Sequence, residues 1–381
     1  MSKTPKTNVT IGKYKYYQTT LTIGKDASGK QIQKKFYGKT KAEAEKKKQE
    51  YIKNIEAGIN PDLKTQILET AMHFWLWEIE KLSLKTNSFV RYEEIYRNYV
   101  KGSEIGNIKV SDFKMSTIQR YYNKLIQGGK TPSQIKNLNK LLKKFFNYAV
   151  QEGYLAKNPC NRVKIKSEDK ERKIKTFSDE EIEKIKQMDE SQVKYIILFA
   201  LATGLRLGEI LALTEEDIKN GVVNVNKSLA EVKVFKSPTE WNYENRVQTP
   251  KSKNSMREVP IPTTFMPYLK MIKRIKKEQQ LKMGSAYQKN DLLFPSIMGT
   301  YINPKNFRRV YKKALEKAGI EYKSFHCLRH TYATKLLEKG ASLVAVSRLL
   351  GHTTTKTTEI YAHVTKDFRK QEAELLADMF N

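Results

Sequence analysis

The sequence predicts a multidomain, mostly α-helical chain. It comprises a small α+β N-terminal domain, an all-α domain, and a mostly α C-terminal domain with a small antiparallel β-sheet. Three observations predict this. Alternating, β-branched and aromatic segments occur near the N-terminus and again between residues 222 and 261, while apolar residues at helical spacing fill most of the rest. Breaks at Asn60-Pro61 and around residues 158–173 divide the chain into domains 1–60, 66–160 and 174–381. A length of 381 residues accommodates two or three such domains.

The first domain opens with strands over 9–23 and 31–37, joined by the glycine-bounded turn G-K-D-A-S-G-K. Thr40 and Glu43 have the spacing of a capping box, so a helix is expected from there to about Ala57, with Gly58 ending it. Lys15, Lys34 and Lys35 lie among the strand tyrosines, and a basic aromatic sheet of this kind can enter a DNA groove. In the second domain Leu68, Ala71, Met72, Trp75, Leu76 and Ile79 recur at threes and fours. Further helices are expected over 89–100, over 115–126 before Gly128-Gly129, and over 131–151 with Pro132 in the first turn. That last helix sets Ile135, Leu138, Leu142, Phe145 and Phe146 on one side and a lysine stripe including Lys136 and Lys140 on the other, with Trp75 and Trp77 expected in the core or at the bundle edge. Residues 158–161 and the charged run 166–173 are read as an exposed linker.

In the third domain Ser178 and Glu181 form another capping box, with Phe177 placed to staple onto Ile182. An apolar helix ends at Thr203-Gly204, and Arg206 begins the next. Strands are expected over 222–235 and 256–261 around a basic turn that holds Lys251. Helices follow over 262–280, 301–317, 325–338, 343–350 and 357–363, and an amphipathic helix over 366–380 closes the chain.

A net charge of +30 spread along the whole length implies a long polyanionic partner. No run of about 18 apolar residues is present, so no membrane span is expected. The N-terminus lacks the apolar core of a signal peptide, and two cysteines, Cys160 and Cys327, are too few for a disulfide framework, so the expected location is cytoplasmic. Four of the five histidines, His326, His330, His352 and His363, fall in the C-terminal region beside Arg329 and Tyr361. Cleaving a phosphodiester without a metal requires a nucleophile, cations for the non-bridging oxygens, a proton acceptor and a proton donor. Tyrosine, arginine, histidine and lysine can fill those roles. His326 and His330 also stand at metal-ligand spacing, but no glutamate follows His326 as in H-E-x-x-H, and His330 reads as a packed histidine.

These residues lie in segments that resemble the phage integrase family of tyrosine recombinases. A-T-G-L-R-L-G-E-I-L-A-L around Arg206 is similar to the family's first box, H-C-L-R-H-T with His326 and Arg329 to the second, and L-L-G-H-T-T-T-K-T-T-E-I-Y-A-H with His352 and Tyr361 to the third. P-K-S-K-N-S-M-R-E-V-P-I-P resembles the hairpin that carries the family lysine, here Lys251. Cys327 and Thr214 depart from the commoner residues without removing a chemical group. The resemblance implies that Tyr361 attacks the scissile phosphate to form a 3′-phosphotyrosyl bond, with Arg206, Arg329 and His352 on the oxygens. Lys251 would be the acid and His326 the base, with no ATP, metal or other cofactor. It implies an arm-type DNA-binding domain, a core-binding domain and a catalytic domain, working as a homotetramer on double-stranded DNA carrying core and arm attachment sites. An excision factor and a DNA-bending host protein are the implied accessory partners, and integration or excision of a mobile element the implied outcome. A type IB topoisomerase or telomere resolvase shares the chemistry, and a non-enzymatic DNA-binding regulator would share the charge.

Overall fold

The computed structural model describes residues 9–25, 31–56, 66–166, 174–249, 256–352, 354 and 358–361. The chain divides into two compact units, Met1–Lys170 and Glu171–Asn381.

In the first unit β1 (Val9–Ile11), β2 (Tyr14–Lys25) and β3 (Gln31–Gly38) form an antiparallel sheet in the order β1-β2-β3. The register sets Thr19 opposite Phe36 and Thr20 opposite Lys35. Because side chains alternate along a strand, Tyr17 and Phe36 share one face, and Phe36 meets Tyr51 of helix α1 (Lys41–Glu56) edge-on at 5.2 Å. Thr40 accepts from the Glu43 amide at 3.1 Å, which fixes where α1 begins.

The helical part that follows is built from α2 (Leu68–Phe74), a π-helical turn (Trp75–Glu80), α3 (Lys81–Ser83), α4 (Thr86–Tyr99), α5 (Met115–Gln127) and α6 (Pro132–Gln151). The π turn interrupts what periodicity reads as one helix, and it buries both Trp75 and Trp77. Thr131 and Gln134 cap α6 reciprocally, ahead of Pro132 in its first turn. Its buried stripe runs Ile135, Leu138, Leu141, Leu142, Phe145, Phe146 and Ala149. At about 1.5–3 kcal/mol for each large side chain, that face holds the bundle together. Residues 158–160, expected within an exposed linker over 158–161, are instead packed, while residues 167–173 of the expected charged linker lie outside the described residues. Asn158 donates to the Lys143 carbonyl and to Asn147, Lys164 pairs through its backbone with Gln119, and Cys160 is buried. A short segment that closes over a bundle looks polar in sequence because its bonds go to backbone groups.

The second unit begins with α7 (Asp179–Lys186), capped by Ser178 and Glu181, then α8 (Gln192–Thr203) and α9 (Leu207–Ala212). α8 is buried nearly all round, which accounts for its continuous apolar sequence. β4 (Ile218–Lys219), β5 (Val222–Val225) and β8 (Arg257–Pro260) make one antiparallel sheet, and β6 (Ser228–Phe235) with β7 (Trp241–Gln248) a two-stranded hairpin. β7 is a strand where sequence indicated only turns. Its residues W-N-Y-E-N-R-V-Q are mostly exposed, so no apolar alternation marks it, and its full pairing with β6 holds it. Helices α10 (Met266–Met283), α11 (Pro304–Lys317), α12 (His326–Glu338) and α13 (Leu343–Leu350) complete the unit. Residues Glu359–Tyr361 form a single 3-10 turn, where a helix over 357–363 was expected. No helix among the described residues is long and apolar enough to cross a membrane. The expected helix 366–380, together with Gly58, Lys251 and His363, lies outside the described residues.

Candidate active site

The site is built on helix ends. α8 stops because Gly204 adopts φ +64°, and a Cβ there would lie 2.3 Å from the Tyr332 ring. α13 stops likewise at Gly351, with φ +66°. Both terminations aim carbonyls at the fully buried Arg329, whose Nη1 donates to Gly204 O at 2.9 Å and whose Nη2 donates to Leu350 O. A cation at two helix C-termini is favoured by both dipoles, so the sequence places a charge inside the protein and stabilises it there.

Arg206 is the residue preceding α9. Its amide donates to Glu209 Oε2 at 2.9 Å and its Nη1 to Oε1 at 2.8 Å, which fixes the side chain against the helix start. Glu209 is itself buried and takes a second cation, Arg257 of β8, through Nη2 at 2.9 Å and Nη1 at 3.3 Å. Arg257 Nε donates to Leu349 O at 2.6 Å. One side chain therefore ties the strand that follows the Lys251 segment to both α9 and the end of α13. Gly208 lets α9 lie close against β6, because a Cβ there would lie 2.5 Å from Leu229 O.

α12 presents His326, Arg329 and His330 at i, i+3 and i+4, on one face. The His326 and His330 rings meet edge-to-face with centroids 4.7 Å apart. His326 lines a cleft of about 290 Å³ together with Arg206, Arg308, Tyr322 and Ser324. Gly351 turns the chain so that His352 leaves α13, and its Nδ1 lies 2.8 Å from Thr358 Oγ1. Thr358 O accepts from the Tyr361 amide at 2.9 Å, so one threonine links the histidine to the tyrosine turn. The Tyr361 ring is buried against Ala333, Leu337, Val346 and Leu350, and its hydroxyl lies 2.5 Å from His330 Nδ1.

The electrostatics follow from burying several cations around one carboxylate. Burial pushes Glu209 up, but Arg257 and Arg206 more than offset it and hold it below the usual carboxylate range. Burial, then Arg206, pushes Arg329 down to about 9, which still leaves it protonated at neutral pH. Burial, then the neighbouring cations, pushes His326 and His352 down to about 4 each, and His330 also below its usual value. His326 is exposed at the cleft, whereas His352 is half-buried. Burial pushes Tyr361 up to about 12, with Arg329 pulling the other way. An anion in the cleft would relieve the cations and favour proton binding by the histidines.

The structure thus brings together Arg206, His326, Arg329, His352 and Tyr361 within one unit, while Lys251 lies outside the described residues. Sequence reading missed Glu209, Arg257, Thr358 and the placement of His330. Glu209 carried a signal in its three-residue spacing from Arg206 at a helix start, and Arg257 in its sharing the face of buried Val259. In the first unit Lys35 and Lys15 are exposed, whereas Lys34 lies over the Tyr51 ring at 4.7 Å. Lys136 and Lys140 are exposed on α6.

The profile described as phage integrase family matches residues 175–367, and that of the phage integrase N-terminal SAM-like domain matches residues 68–126. A tyrosine recombinase XerC-like protein of Caldanaerobacter subterraneus subsp. tengcongensis is 46% identical over 98% of this chain and 99% of that protein. The ICEBs1 integrase of Bacillus subtilis is 29% identical, covering 74% and 78%. Among solved structures, the Tn1549 transposon integrase with transposon right end DNA superposes with a TM-score of 0.66 at 20% identity, covering 82% of this chain and all of that one. A lambda integrase tetramer bound to a Holliday junction gives 0.56 at 18%, covering 91% and 92%. Both share its fold.

Proposed function

Since the chain belongs to the phage integrase family and is a tyrosine-type site-specific DNA recombinase, we propose that it cuts and rejoins duplex DNA through Tyr361. The tyrosine oxygen attacks the scissile phosphorus, the 3′-phosphotyrosyl bond forms and a 5′-hydroxyl leaves. Arg206, Arg329 and His352 neutralise the non-bridging oxygens, with His326 at the cleft beside Arg206, and Lys251 protonates the departing oxygen. A 5′-hydroxyl from a partner strand reverses the step, so bond energy is kept and no cofactor is consumed. The observation that carries this reading is the Tyr361 hydroxyl held on a histidine of the helix that also bears Arg329.

Residues 1–60 serve as an arm-binding domain, 66–160 as a core-binding domain and 174–381 as the catalytic domain. The exposed face of the N-terminal sheet, with Tyr14, Lys35 and neighbours, supports the first, and Lys136 and Lys140 of α6 the second. Lys34 suits packing under α1 better than a phosphate. The substrate is the pair of attachment sites of a mobile element in the cytoplasm, joined by a tetramer, with an excision factor and a DNA-bending host protein setting direction. The likeness to the ICEBs1 integrase supports the mobile-element substrate.

A nicked suicide substrate tests the chemistry. The wild type accumulates a covalent protein–DNA adduct, in EDTA as well as without it, and Tyr361→Phe binds the same DNA with no adduct. An adduct in Tyr361→Phe overturns the reading.

A further inference from the structure

We propose that His330 is the group that takes the Tyr361 hydroxyl proton as the tyrosine attacks phosphorus. The inference rests on Tyr361 being the nucleophile and moves the role of base from His326, where the family resemblance implies it, to His330.

Tyr361 Oη and His330 Nδ1 lie 2.5 Å apart, within reach for direct proton transfer. His326 stands one turn earlier on the same face of α12. It lines the cleft with Arg206 and Arg308 and meets His330 edge-on. The two histidines of this helix thus divide the site: His326 belongs to the phosphate side and His330 to the tyrosine side. His330 is held in place by its neighbours. It shares α12 with Arg329, whose guanidinium is fixed by two helix-terminal carbonyls, and Tyr361 is pinned by its buried ring and by the Thr358 carbonyl. A neutral imidazole with its proton on Nε2 leaves Nδ1 free to accept. Burial and Arg329 favour that neutral form.

The step balances as follows. The Tyr361 O–H bond breaks and its proton passes to Nδ1, giving an imidazolium. The Oη–P bond forms and the P–O5′ bond breaks, with the 5′-oxygen protonated by Lys251. In the return step the attacking 5′-hydroxyl gives its proton to the lysine, and His330 restores the proton to the departing tyrosine oxygen.

Single-turnover adduct formation on two suicide substrates separates the possibilities. One substrate has the ordinary 5′-oxygen at the scissile bond, and the other a bridging 5′-sulfur, which leaves as a thiolate and needs no acid. His330→Ala is expected to slow both reactions by about 10²-fold or more, as loss of a general base does, with DNA binding retained. Free imidazole should restore part of the rate. His330→Asn keeps an acceptor near the same place without its basicity. It is expected to hold the fold and to remain slow. Lys251→Ala should be slow on the oxygen substrate alone. The proposal is overturned if His330→Ala or His330→Asn reacts at the wild-type rate or faster, the latter making His330 a restraint on the tyrosine. It is also overturned if sulfur alone rescues His330→Ala. Tyr361→Phe runs alongside. An adduct there removes the nucleophile assignment itself, whereas no adduct there with a fast His330→Ala removes only the present inference.

Discussion

Arg329 and Glu209 show how a buried charge becomes a tool. Arg329 is stabilised by two helix-terminal carbonyls from other elements, and Glu209 by Arg257 of β8 and by Arg206 at the start of its own helix. Removing Glu209 leaves the buried Arg257 without its carboxylate, whereas Arg206 keeps partial access to solvent. Glu209→Ala should therefore cost about 3–5 kcal/mol of unfolding free energy, read by denaturant titration. It should also release Arg206, reducing cleavage further than binding. The histidines make a separate prediction. A group whose folded pKa is depressed binds its proton more readily when unfolded, so folding loses stability as pH falls below the unfolded value and levels off below the folded one. His352, and with it His326, moves from 6.5 to about 4. Stability should be level above about pH 7 and fall between about 6.5 and 4. His352→Gln should flatten part of that slope, and an unchanged slope would contradict the burial described for His352.

Helix ends and strand junctions were legible in sequence to different degrees. The caps of α6 and α7 stood out because Thr131-Gln134 and Ser178-Glu181 follow a local rule that needs no tertiary context. β7 and the π turn at Trp75–Glu80 did not, because an exposed polar strand and one extra residue per turn leave no periodic trace. The boxes named Arg206, His326, Arg329, His352 and Tyr361, which lie together in one unit. They did not show that Arg257 of β8 joins α9 to α13, since that bond forms only when three distant segments meet. The same tight meeting explains two glycines. Gly208→Ala would set a Cβ 2.5 Å from the Leu229 carbonyl, and should destabilise by about 1–3 kcal/mol. Gly204→Ala adds a left-handed φ of +64° to its collision with Tyr332. Thermal unfolding checks both, and a neutral Gly208→Ala would mean that α9 and β6 do not pack as described.

At the scale of the whole molecule the +30 charge is the dominant property. It makes DNA affinity steeply salt-dependent, because each neutralised phosphate releases counterions. Replacing Lys136 or Lys140 by Ala should lower the slope of log affinity against log salt by about one for each lysine that touches a phosphate. An unchanged slope would assign that face of α6 to solvent. The charge was readable without a structure, but it names only a polyanion. The recombinase assignment came from ordered boxes and similar proteins, and the chemistry depends on atoms those boxes bring together. The most direct measurement is to trap the covalent complex on a nicked substrate, trim the DNA with nuclease, digest the protein and weigh the modified peptide. A nucleotide remnant on the peptide containing Tyr361, attached through the tyrosine oxygen, is the predicted result. A remnant on any other residue, or none in an active preparation, would contradict the account.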